Sequence, residues 1–109
     1  MQTNPFSPFP TSLFATPMKP VITHHPEEQA FYAHLNGYES ELTYSRPEAT
    51  VIDFTHTFVD EKLRGQGVGD ALATAALAYA RAEKLRVKAT CTFMRAYVQR
   101  HPQYQELLA

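Results

Sequence analysis

The sequence predicts one α+β domain, a mixed and mainly antiparallel sheet flanked by helices. Three observations predict it. β-Branched and aromatic residues are concentrated in the first half of the chain, an alanine-rich segment of helical spacing follows, and a short strand and a further helix come last. A chain of 109 residues, 44% of them hydrophobic, is enough for one core.

The first half alternates apolar stretches with turn residues. Asn36-Gly37 is the strongest hairpin signal, because both residues tolerate the positive φ angles of a tight turn. Arg46-Pro47-Glu48 is predicted to form the next turn. The predicted strands are Val21–His24, Ala30–Leu35, Tyr38–Ser45 and Thr50–Val59, of which the first is weak.

The last of these strands carries a histidine. Strict alternation places His56 on an apolar face with Ile52, Phe54 and Phe58. As the only ionisable group on that face, His56 is either a general base or a core histidine with both nitrogens hydrogen-bonded.

The second half predicts two helices. A polar, glycine-rich loop at Asp60–Gly69 precedes a segment with seven alanines, which favours helix strongly. Pro102 ends the second helix. The predicted elements are a helix over Val68–Lys84, a strand over Leu85–Thr90, a helix over Thr92–Arg100 and one further helical turn over Gln103–Leu108.

Residues 1–20 differ from the domain at residues 21–109. They contain five of the eight prolines and a single charged side chain, Lys19. Proline excludes a helix or a central strand, so the segment is predicted to be an extended, disordered tail. Its phenylalanines leave open a third interpretation, an interaction protein that uses the tail.

Charge and cysteine content exclude several classes of protein. A net charge of −1 excludes a polycation that coats nucleic acid, and no apolar stretch approaches the roughly 20 residues of a membrane span. The lone Cys91 excludes an intramolecular disulfide and a multi-cysteine zinc site, and it fits a reducing, cytoplasmic compartment. We expect no metal.

The charges are nevertheless divided along the chain. Residues 27–61 contain eight acids and one base, whereas residues 62–100 contain eight bases and two acids. The basic half would attract a polyanion if its bases share one side.

The loop between the fourth strand and the first helix points to a phosphate ligand. Its glycines allow backbone N–H groups to converge, and the helix that follows adds its positive N-terminal end. A Walker loop is absent, and the dinucleotide fingerprint fails because position 70 is Asp. The alternative is a glycine-rich connection without a ligand.

The sequence resembles the acetyl-coenzyme A-dependent N-acetyltransferases of the GNAT superfamily, in particular a small, minimal subgroup. The pyrophosphate motif of the superfamily, [Gln/Arg]-x-x-Gly-x-[Gly/Ala], is matched by Arg64, Gly67 and Gly69. The subgroup's further motifs are matched by His56-Thr57, Arg64–Gly69, Ala76–Ala80, Cys91, Tyr97 and His101-Pro102. The resemblance implies a splayed sheet that is truncated at its C-terminal end, and a coenzyme A cofactor.

The resemblance also implies roles for individual residues. His56 would act as base, Cys91 would lie beside the acetyl group or carry it, and Tyr97 would donate a proton to the departing thiolate. The residues implied in binding acetyl-coenzyme A are Thr57, Phe58, Val59, Arg64, Gly65, Gln66, Gly67, Val68, Gly69 and Asp70. The acceptor is an unidentified amine, of a small molecule or of a protein, and the alternative function is a coenzyme A-binding module without turnover.

Overall fold

The computed structural model describes residues 19–109. The predicted tail at residues 1–20 therefore lies outside the described residues, apart from its last two. The strands are β1 (Val21–His25), β2 (Ala30–Leu35), β3 (Tyr38–Glu48), β4 (Val51–Phe58) and β5 (Arg86–Ala89). The helices are α1 (Val68–Ala82) and α2 (Thr92–Arg100), and 3₁₀ turns cover Pro26–Glu28, Glu61–Leu63 and Pro102–Leu107.

The five strands form one sheet in the order β1-β2-β3-β4-β5. The first four pair antiparallel, and β5 pairs parallel to β4 after the crossover through α1. The β2–β3 hairpin closes at Asn36-Gly37, with φ angles of 53° and 82° that match the turn predicted there. The predicted α+β class with a mainly antiparallel sheet is confirmed.

Strand β3 is longer than the sequence predicts. Arg46-Pro47-Glu48 is not a turn, because β3 runs to Glu48 and the register against β4 shifts between Ser45 and Glu48. This irregularity accommodates a proline that cannot donate to the ladder. The guanidinium of Arg46 donates to the carbonyl oxygens of Ala49 and Val51, which holds the shorter turn that follows.

Helix α1 starts at the predicted residue and stops two residues early. The backbone N–H of Glu83 donates to the carbonyl of Tyr79, and that of Leu85 donates to Ala80. Lys84 between them has a φ of 58°, the left-handed conformation that closes many helices. The helix therefore ends at Ala82. The final predicted helical turn, at residues 103–108, is the 3₁₀ turn Pro102–Leu107.

Both helices contribute to one core on one face of the sheet. Leu72 and Leu77 of α1 and Met94 of α2 are fully buried with Leu42 and Phe54 of the sheet. Each such side chain stabilises the fold by about 1.5–3 kcal/mol. Three buried alanines on the inner side of α1, Ala73, Ala76 and Ala80, let the helix approach the strands closely. No helix within residues 19–109 is long and apolar enough to cross a membrane.

Candidate functional site

The sheet opens between its two parallel strands. Pairing of β4 with β5 runs from Val51↔Arg86 to Phe54↔Ala89, and a last hydrogen bond joins the Cys91 N–H to the Phe54 carbonyl at 2.9 Å. Beyond that point β4 continues to Phe58, while the chain after β5 turns into α2. Among residues 19–109, no strand pairs with this end of β4 on the β5 side. We call the opening the β4–β5 gap.

A β-bulge in β4 lies where the gap begins. Thr43 of β3 pairs with His56, but the next residue, Tyr44, pairs with Phe54, so Thr55 is the extra residue. An extra residue reverses the alternation of side chains beyond it. Thr57 consequently faces the core side with Phe54, whereas His56 and Phe58 face the opposite side.

The predicted apolar face of β4 is therefore wrong beyond Phe54. His56 is exposed, and the side chain of Phe58 is 49% exposed. The interpretation of His56 as a core histidine fails with it. His56 lies on the outer side of the sheet, in the part of β4 that borders the gap. Its role as a base stays a prediction.

The bulge brings two of the proposed site residues together. The Oγ1 of Thr57 lies 3.2 Å from the Sγ of Cys91. Cys91 is buried at the inner end of the gap and directly precedes the first turn of α2, where its carbonyl accepts from the Arg95 N–H. Thr57 and Cys91 thus form the closed end of the gap.

The glycine-rich loop forms a pocket of about 400 Å³ at the N-terminus of α1. Gly65 and Gly67 have φ angles of 82° and 77°, which only glycine adopts without strain. No side chain caps the helix, so its first N–H groups are available to an anion. The lining residues are Val59, Leu63, Arg64, Gly65, Gly67, Val68, Gly69, Asp70 and Phe93.

The side chain of Gln66, a predicted cofactor-binding residue of the loop, points away from the pocket. The side-chain amide of Gln66 donates to the Lys62 carbonyl at 3.1 Å, so it braces the loop from outside the pocket. Phe58 likewise faces the outer side of the sheet, so any contact of these two residues with the cofactor would come through their backbone.

The loop is anchored by a residue that sequence reasoning missed. Ser40 of β3 is 1% exposed, and its Oγ accepts a hydrogen bond from the Asp60 N–H at 2.9 Å. Asp60 in turn caps the 3₁₀ turn before the loop, because its carboxylate accepts from the Lys62 N–H. The sequence feature that could have indicated Ser40 is a polar serine at an inward-facing position of β3.

Phe93 of α2 is the second missed residue. Its ring lies against Gly69, where a Cβ atom would stand 2.9 Å from the ring's Cζ. Gly69 therefore lets the start of α1 approach α2, and Phe93 forms one wall of the pocket.

Tyr97 packs against α1. Its hydroxyl lies 2.9 Å from the Oγ1 of Thr74, and its ring stacks on His101 at a centroid distance of 3.9 Å. Tyr97 is 4% exposed and does not line the loop pocket. The geometry gives it a packing role between the helices, and its role as a proton donor stays a prediction.

A mixed sheet that opens between its parallel strands, beside a glycine-rich loop at a helix N-terminus, is a GNAT-type fold. The profile of the family described as GCN5-related N-acetyl-transferase matches residues 30–107. The chain therefore belongs to the GCN5-related N-acetyltransferases, and the predicted resemblance is confirmed.

The chain is similar to curated and solved members. Protein NATD1 of Mus musculus and of Homo sapiens are each 33% identical over 91 residues, which cover 80% of this chain and 83% and 80% of the relatives. The NMR structure of a GCN5-like protein from Staphylococcus aureus matches with a TM-score of 0.66 and 31% identity. That match covers 82% of this chain and 87% of the other.

Proposed function

We propose that the protein transfers an acetyl group from acetyl-coenzyme A to an amine. The observation that carries the proposal is that the loop pocket lies next to the β4–β5 gap. Val59 lines the pocket and directly follows the end of β4, which within residues 19–109 has no partner strand on the β5 side. Thr57, two residues earlier, contacts Cys91 at the inner end of the gap. A long donor bound by its phosphates at the loop thus has a path to the gap.

The loop supplies what a pyrophosphate needs. The uncapped N-terminus of α1 offers N–H donors and the positive end of the helix dipole, and the exposed Arg64 adds a cation at the pocket wall. The carboxylate of Asp70 lies in the first turn of α1, where it is attracted by the same dipole. We infer that the backbone of the loop is the principal ligand.

The gap supplies a strand edge for the pantetheine arm. The Phe54 carbonyl points toward β5, since it accepts from Cys91. Because the bulge adds one residue, the peptide groups of Thr57 and Val59 point toward the gap again. An amide-bearing arm lying in the gap would pair with these groups as a strand does.

The reaction requires positioning and a deprotonated amine. The amine nitrogen attacks the thioester carbon, the carbon–sulfur bond breaks, and the coenzyme A thiolate leaves. His56, on the outer side of the sheet beside the gap, would accept the amine proton directly or through water. Tyr97 or Cys91 would assist at sulfur. A route through acetyl-cysteine is the alternative, since Cys91 stands at the end of the gap.

Calorimetric titration and turnover test the proposal together. We expect acetyl-coenzyme A to bind the wild-type protein, and we expect acetylated product from at least one member of a panel of amines. Binding without any turnover would favour the alternative, a coenzyme A-binding module. Absence of binding would refute both.

The two chemical routes are separated by mass spectrometry. Without an amine, the acetyl-cysteine route predicts a protein heavier by one acetyl group, and loss of that adduct in Cys91→Ala. Direct transfer predicts no adduct and near-normal turnover in Cys91→Ala.

A further inference from the structure

Within residues 19–109, the outer side of the sheet carries no helix. Both helices of this part of the chain pack on the inner side of the sheet. We name as the outer sheet face the side chains that point there from β2, β3 and β4, namely Tyr32, His34, Glu39, Glu41, His56 and Phe58. The strand register places Tyr32, Glu41 and Phe58 side by side across three strands, and His34 beside Glu39.

The outer sheet face is negative. Glu39 lies 3.4 Å from His34, and the Tyr32 hydroxyl donates to Glu28 at the edge of the face. The hydrogen bond to Glu28, followed by partial desolvation and by the charges of Glu28, Glu41 and Glu39, raises the pKa of Tyr32 to about 12. Several carboxylates therefore act on one point of this surface.

Within residues 19–109, no lysine or arginine forms an ion pair with Glu28, Glu39 or Glu41. In residues 19–61 the lysines and arginines are Lys19, which precedes β1, and Arg46, whose guanidinium donates to backbone carbonyls at the β3–β4 turn. The other bases lie in residues 62–100, where Arg64 borders the loop pocket. Arg86 and Lys88 of β5 alternate with buried Val87, so they face the outer side of the sheet beyond β4, outside the outer sheet face. The carboxylates of Glu39 and Glu41 on the outer sheet face thus lie on a different surface from Arg64 at the loop pocket.

This separation of charge matches two substrates of opposite charge. The donor carries phosphates and approaches the loop, whereas an acceptor amine is a cation in water. The inner side of the gap is closed by Thr57 and Cys91, so an acceptor reaches it from the outer side, past His56 and Phe58.

We propose that the outer sheet face is the docking surface of the acceptor, and that the acceptor is a lysine within a basic segment of another protein. The proposal rests on the function proposed above. The face is a broad sheet surface about 10 Å across from β2 to β4, whereas small molecules bind in concave pockets that enclose them. A basic segment matches its charge, and the exposed Phe58 ring would contact the lysine methylenes.

Residues 1–18 of the chain are a poor occupant of the same surface by charge, because they contain no Lys, Arg, Asp or Glu. A truncation that begins at Lys19 should accordingly bind a basic peptide as the full chain does.

The test is binding of a blocked peptide that contains one lysine between arginines, compared with a peptide in which glutamine replaces the arginines. NMR shifts of backbone amides should map the basic peptide to β2, β3 and β4. The double variant Glu39→Gln/Glu41→Gln should raise the peptide Kd about three- to tenfold, the effect of removing exposed charge pairs. Glu83→Gln, an exposed carboxylate at the far end of α1, is the matched control and should leave Kd unchanged.

The outcomes separate the two proposals. If the peptide binds with this dependence on Glu39 and Glu41 but no amine is acetylated, the docking surface stands and acetyl transfer is refuted. If the lysine is acetylated equally by wild type and the double variant, or the shifts lie elsewhere, transfer stands and the docking surface is refuted. Tight binding of spermine with no binding of the basic peptide would also overturn the protein acceptor.

Discussion

The two borders of the candidate site, the loop Leu63–Asp70 and the strand end Thr55–Phe58, are built in different ways. The loop depends on local chemistry, because Gly65 and Gly67 have positive φ angles that other residues adopt only with strain. The strand end depends on pairing, because the bulge at Thr55 is defined by the register of β3 against β4. A local feature is visible in a sequence, and a feature of pairing is not.

We expect the largest effect on turnover from a substitution at the strand end. His56→Ala should lower turnover about 10²–10⁴-fold, the contribution of a general base, with little change in coenzyme A affinity. Because His56 is exposed, the melting temperature should also change little. Part of the rate should return at high pH, where the amine loses its proton unaided.

His25→Ala is the matched control for this variant, since His25 is a partly exposed histidine of β1 that is not part of the outer sheet face. Unchanged turnover in His56→Ala would remove the base from the proposed mechanism and leave positioning alone.

The next effect tests the loop. Gly67→Asp should weaken coenzyme A binding about 10- to 100-fold, because it strains a positive φ and places a carboxylate in the phosphate cradle. Gly37→Asp is matched for strain, with a φ of 82° in the β2–β3 turn and open space around its Cβ position. Equal coenzyme A affinity in the two variants, measured by calorimetry, would contradict a phosphate site at the loop.

Much of the fold was predictable for the same reason as the loop. The β2 range, the Asn36-Gly37 turn, the start of α1 and the whole of α2 agree with the sequence prediction, and each depends on local residue preferences. The sequence prediction was wrong where the pairing of two strands determines the local structure. Pro47 lies inside β3 because an irregularity accommodates it, and the β4 face reverses because of the bulge.

The candidate site follows the same division. The loop could be predicted as a phosphate site from its glycines, and its pocket at a helix N-terminus is consistent with that. The contact of Thr57 with Cys91 and the wall formed by Phe93 could not be predicted, because they join residues that are distant in the chain.

Ser40 anchors Asp60, which lies between the two borders, and its removal should have an intermediate effect. Ser40→Ala leaves the Asp60 N–H without its buried acceptor, which should lower the free energy of unfolding by about 1–3 kcal/mol. Coenzyme A affinity should fall a few-fold as the loop loosens. Ser45→Ala, on the same strand, is the control. A Ser40→Ala protein with wild-type stability and affinity would show that Asp60 needs no anchor.

A smaller effect, on the pH dependence of stability, is expected at the half-buried His24. Its Nε2 lies 2.7 Å from the Tyr44 hydroxyl, its ring stacks on Phe31, and burial lowers its pKa below the usual 6.5. As pH falls through about 6.5, the unfolded chain binds the proton before the folded protein does. Stability should therefore decrease from pH 7 toward pH 5.

His24→Gln should flatten that part of the stability curve, whereas His56→Ala should leave it in place. Denaturant unfolding at several pH values measures both. An identical pH dependence in wild type and His24→Gln would show that other groups cause the acid loss.

The smallest effect is expected at Gly69, where two contributions oppose each other. Alanine is favoured over glycine in a helix by up to about 1 kcal/mol, but at position 69, in the first turn of α1, its Cβ would stand 2.9 Å from the Cζ of Phe93. The Phe93 ring must move, so Gly69→Ala should leave stability nearly unchanged and weaken coenzyme A binding by no more than a few-fold. Replacing the ring with a smaller side chain relieves the contact, so in a Phe93→Leu background the same change should stabilise the protein by the helix preference alone. A double-mutant cycle in stability measures this coupling. Additive effects would show that the ring yields freely, and that Gly69 is needed at the pocket for its backbone and not for its contact with α2.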